Sequence, residues 1–132
     1  MTLGQYRDYF KNTFKWTDSI SSGKIDNNKQ KAICFYNSDS GIGYSSTFGG
    51  ENNKTTDIKP ITILLRYTKN QNDAEIMAQK IYDFFKGKSF FIDGKRIFTT
   101  MVYSGPLSLG TDDNGVYEYS IDVNFYEGRK MS

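Results

Sequence analysis

The chain has 132 residues and a formal net charge of +2, with ten Tyr, ten Phe, one Trp, one Cys and no His. This length suits one domain, expected over residues 1–132, with a core that needs no staples. The composition excludes Ser–His–Asp and Cys–His catalysis, an intramolecular disulfide and a Cys-rich zinc site, and the charge gives no nucleic-acid footprint by itself.

Leu3, Tyr6, Phe10 and Phe14 recur at helical spacing, so Leu3 to Phe14 reads as a helix with Thr2 as its N-cap. Trp16 follows, and the polar stretch Thr17 to Lys29 reads as a loop. Lys31 to Tyr36 is a short apolar strand in which Cys34 reads as a small buried hydrophobe. Asn37 to Asp57 is rich in Gly, Ser, Asn and Thr, and a loop of this length in a compact domain is usually functional or disordered. Ile58 to Thr68 contains a strand whose start is marked by Pro60, with Ile61, Ile63, Leu65 and Tyr67 on one face. Asn72-Asp-Ala-Glu75 has the form of a capping box ahead of a helix that stops at Gly87. Ser89 to Ile92 and Arg96 to Tyr103 flank Asp93-Gly94, a type I′ hairpin signal. Ser104 to Gly115 reads as a second long loop. In the closing strand Tyr117, Tyr119, Ile121, Val123 and Phe125 face one way, and Glu118, Ser120, Asp122 and Asn124 the other. That alternation predicts one buried and one wet face. The element order predicts an α+β fold, a mostly antiparallel sheet with two helices packed on one face.

Signals of chemistry are sparse. Asp112-Asp113-Asn114-Gly115 misses the calcium-loop spacing and its closing Glu. Asp112 and Asp113 sit on a Gly-rich loop, where exposure leaves little reason for a perturbed pKa. Gly41-Ile-Gly43 and Gly49-Gly50 do not lead from a strand into a helix and match no phosphate fingerprint. Arg66, Tyr67 and Lys69 form the nearest basic–aromatic cluster of the kind that stacks single-stranded nucleic acid. No catalytic residue, metal or cofactor is expected. A small nucleic-acid-binding module built on the Lys-rich first half stays open as an alternative, and an enzyme with a carboxylate pair as a third reading. No apolar run approaches membrane-spanning length, and the first residues lack a signal-peptide pattern, so the expectation is an intracellular or virion-internal protein without a membrane partner.

Three segments together resemble a known family. They are Lys31-Ala-Ile-Cys-Phe-Tyr-Asn-Ser38, the run from Ile58 to Glu75, and the run from Gly110 to Tyr126. Their order and spacing are similar to those of bacteriophage minor capsid or tail-terminator (tail-completion) proteins. The resemblance implies an α+β structural protein that caps the tail tube as a ring, typically hexameric. It implies as partners the chain itself, the tail tube protein and a head connector or sheath protein. It implies no specific nucleic acid, although genome DNA would pass through such a ring. The implied place is the virion tail, or the bacterial host cytoplasm during assembly, and phage-tail-like bacteriocins fall within the same resemblance.

Charge placement suggests how copies could meet. From Ile97 to Glu127 there is no Lys or Arg but there are five acids, Asp112, Asp113, Glu118, Asp122 and Glu127. Opposite charge on two faces suits head-to-tail contact. The candidate interface is therefore Asp112, Asp113, Glu118 and Asp122 on one copy against Lys54, Lys59, Arg66 and Lys69 on the next, with Tyr44 and Phe48 as loop anchors.

Overall fold

The computed structural model describes residues 1–26, 29–38 and 56–128. Helix α1 (Leu3–Phe10) passes into a π-helical turn, Lys11–Lys15, and then strand β1 (Ser19–Ser22). Strands β2 (Ala32–Asn37) and β3 (Thr56–Arg66) precede helix α2 (Gln71–Phe85). Strands β4 (Ser89–Ile92), β5 (Lys95–Met101), β6 (Leu107–Thr111) and β7 (Tyr117–Gly128) complete the chain. The α+β expectation holds: one curled seven-stranded sheet runs β1-β2-β3-β7-β5-β4, with β6 also paired to β7. Every pairing is antiparallel except β1 with β2.

Both helices pack on one face. Tyr6 and Phe10 of α1 and Ala74, Ala78, Ile81 and Phe85 of α2 bury against Ile33, Phe35, Ile61, Ile63, Leu65, Ile121, Val123 and Phe125. Rings dominate this core: Phe125 lies 4.2 Å from Tyr6 and 5.6 Å from Phe85, centroid to centroid. Such pairs add to what area burial alone contributes. Thr2 caps α1 as predicted, in a reciprocal box with Gln5. The helix then widens instead of staying regular to Phe14, with Trp16 N–H donating to Lys11 C=O and Phe14 stacked 4.7 Å from Phe10. Trp16 is buried, and its indole donates to Ser19 C=O, which anchors the start of β1.

Several local expectations shift. The N-cap of α2 is Asn70, accepting from Asp73 N–H, not Asn72 with Glu75. Asn70 is pinned by Thr68 at both its N–H and its C=O, and the earlier start puts Asp73 in the first turn, where the helix dipole favours an acid. Pro60 does not start β3 but lies inside it. Its C=O accepts Ser38 N–H on the β2 side, so its missing donor falls where the β2 ladder is ending. The predicted hairpin turn is present, with Asp93 and Gly94 both at positive φ.

Two segments read as loops carry strands. Ser19–Ser22 is β1, and Leu107–Thr111 is β6. Strand β6 continues the line of β5 along β7, since β5 pairs with Val123 to Glu127 and β6 with Tyr117 to Ser120. An irregularity between Ser108 and Gly110 bends it, and Gly110 supplies the positive φ needed there.

Strand β7 departs most from its pattern. Ser120, Asp122 and Asn124, read as a wet face, are buried, Asn124 to 2% exposure. β7 is the inner strand, with β3 along one edge for its whole length and β5 with β6 along the other, so its side chains are flanked by those of neighbouring strands on both sides. Alternation identifies two faces but does not say that the polar one meets water.

Candidate assembly surfaces

Arg66 stands at the end of β3 and points to the face away from the helices, opposite Glu118 in register. It is only 3% exposed. Its guanidinium donates to the Asp112 carboxylate, pairs with Glu118 at 3.4 Å, and donates to Lys29 C=O at 2.8 Å. A buried arginine needs such company, because an unpaired charge away from water is strongly unfavourable. The cluster joins the segment before β2, the end of β3 and the β6–β7 turn. Asp112 is half-buried rather than exposed, which corrects the expectation of an ordinary turn carboxylate. The Val116 N–H, with the Arg66 guanidinium behind it, holds the Asp112 carboxyl below the usual range.

Thus Arg66, Asp112 and Glu118, expected on opposing copies, meet within one chain. A contact between copies through these three would first have to break the cluster. Asp122 is buried and accepts from Thr62 across the β3–β7 pair. Asp113 and Lys69 are exposed and Lys59 half-buried. None of those three has an ion-pair partner among the described residues. Tyr44, Phe48 and Lys54 lie outside the described residues. The basic–aromatic cluster changes character too: Arg66 is engaged, and Tyr67 lies under Lys31 Nζ at 4.9 Å.

At the far end of β7, Glu127 accepts from the Tyr6 hydroxyl at 2.5 Å and pairs with the Met1 ammonium at 3.1 Å. Burial first, and the adjacent Glu127 carboxylate second, push the Tyr6 phenol well above its ordinary value. This cluster fastens α1 to the sheet. A solvent-open cleft of about 580 Å³ near β1 is lined by Thr17, Asp18, Ser19, Lys29, Gln30 and Lys31. Among the described residues no group of three or more Asp, Glu, Cys or His could hold a metal ion. No helix among them is long and apolar enough to cross a membrane.

Exposed apolar side chains gather at two places the charge argument did not reach. Phe91 is 66% exposed and Phe98 41%, both on the β4–β5 hairpin, where Phe98 stacks on Tyr126 at 4.7 Å. Leu109 is 51% exposed and Leu107 38%, both on β6. A usable signal lay in Phe90-Phe91. Adjacent strand residues face opposite ways, so the two rings sit on different faces of the sheet and only one can join the helix-side core.

Two helices packed on one face of a curled, mostly antiparallel sheet define an α+β class. Comparison with known families assigns it further: the model for bacteriophage tail terminator protein matches residues 12–126, and the chain belongs to that family. It is thereby a structural protein of the phage tail, one that works among other tail components. No curated protein and no solved structure matches the chain.

Proposed function

We propose that this protein, acting as one domain over residues 1–132, caps the tail tube as a ring of its own copies and ends tube growth. The other side of the ring meets the head connector, or the sheath in a contractile particle. Six copies and a place among minor capsid proteins are the family-like form of this reading, which extends equally to a phage-tail-like bacteriocin. The protein transforms no substrate in this role. The observation that carries the reading is the family match from residue 12 to residue 126. Internal engagement of Arg66, Asp112 and Glu118 narrows the charged candidates for contacts to Lys59, Lys69 and Asp113, with Tyr44, Phe48 and Lys54 on the segment outside the described residues. Heterologous contacts close into rings when the rotation between copies allows it.

Electron microscopy of particles assembled without this protein tests the proposal. Tubes of irregular length, with heads unattached, are expected. Tubes of normal length joined to heads would overturn it.

A further inference from the structure

We propose that one copy binds the next through two surfaces set at opposite ends of strand β7, the β4–β5 hairpin of one against the β6 edge of its neighbour. This rests on the ring reading and names the surfaces that would build it. Both strands are edges among the described strands: β4 pairs only with β5, and β6 only with β7. Each edge carries uncovered apolar side chains, Phe91 on β4, with Phe98 beside it on β5, and Leu107 and Leu109 on β6. Exposed apolar edge strands are templates for pairing that monomers normally blunt.

Charge chooses the partner. Arg96 lies beside Phe98 on the hairpin and has no carboxylate partner among the described residues. Asp113, in the turn that follows β6, likewise has no cation. An aromatic edge with a spare cation thus faces outward at one end, and an aliphatic edge with a spare carboxylate at the other. Complementary potentials favour unlike ends meeting and oppose like ends. The two surfaces lie at different stretches of β7, β6 beside Tyr117 to Ser120 and β5 beside Val123 to Glu127, so at about 3.3 Å per residue their midpoints are roughly 20 Å apart. Open pairing of unlike surfaces leaves each copy a second surface for another neighbour, as a ring requires.

Mixing two variants of the full chain tests this. Phe91→Glu disables the hairpin and Leu109→Glu the β6 edge. Both side chains are exposed, so unchanged thermal melts are expected to show intact folds. By analytical ultracentrifugation each variant alone should associate about tenfold more weakly than the parent, or not at all. Mixed together, they should form a one-to-one dimer and stop. Arg96→Asp combined with Asp113→Arg should restore association lost in either single variant. A parent that stays monomeric at its highest soluble concentration, a variant that associates like the parent, or a mixture that forms no dimer would overturn the contact. These measurements use purified protein away from tails. Their failure leaves tube capping standing, whereas normal tubes without the protein remove the capping reading instead.

Discussion

On the helix side of β7, Ile121, Val123 and Phe125 meet Tyr6, Phe10 and Phe85, and the closure is almost wholly ring against ring and methyl against ring. On the other side Ser120, Asp122 and Asn124 lie comparably deep, beside Thr62 and, further along, the Arg66 cluster. One face is held by removing apolar area from water and the other by satisfying polar groups pair by pair. The first tolerates imperfect geometry in small steps, while the second fails sharply when a partner is lost.

Substitutions can break that contrast, beginning with the apolar face. Phe125→Ala should cost about 3–5 kcal/mol in urea unfolding, from lost transfer energy and the cavity left behind. Arg66→Met should cost about 2–3 kcal/mol, since two partly buried carboxylates lose their counter-charge. Adding Asp112→Asn and Glu118→Gln to it should recover most of that loss, which no apolar-face variant would do. The same cluster sets an acid limit. The depressed Asp112 pKa contributes stability that is present above its unfolded value of about 4 and is lost as pH falls through the folded one. Asp112→Asn should flatten that acid slope in pH-dependent melts.

Tyr6→Phe should cost about 1–2 kcal/mol at neutral pH, because Glu127 loses a hydrogen-bond donor. Its raised pKa makes the Tyr6 contribution whole below the unfolded value of about 10 and progressively weaker above it, so the variant should show less alkaline destabilisation. The smallest effect should be a gain. Among the described residues Asn124 Oδ1 is buried with no hydrogen-bond partner, and Asn124→Leu should stabilise the chain by about 1 kcal/mol in the same urea assay. A loss there would show that the polar face needs its asparagine.

The apolar face was legible in the chain because period-two alternation in β3 and β7 and the 3.6-residue stripe of α2 are local signals. Strand β6 was hidden: Leu107–Thr111 is short, wholly exposed and bent at Gly110, and only β7 makes it a strand. The polar sequence of β1 hid it in the same way. Arg66, Asp112, Glu118 and Asp122 stood out by charge, yet charge does not reveal whether a partner lies in the same chain or another. That depends on Arg66 falling opposite Glu118, a register between segments some fifty residues apart. Phe91 and Phe98 did not stand out, because a hairpin pattern leaves open which strand face is covered, and that is settled only by what packs on it.

Strand β7 also has a mechanical meaning. It runs unbroken from Tyr117 to Gly128, laddered on both edges, with Arg66 clasping one end and Tyr6 the other. Tension along its axis shears many amide bonds together instead of peeling them singly, so this strand is the spine through which a subunit can transmit force without coming apart.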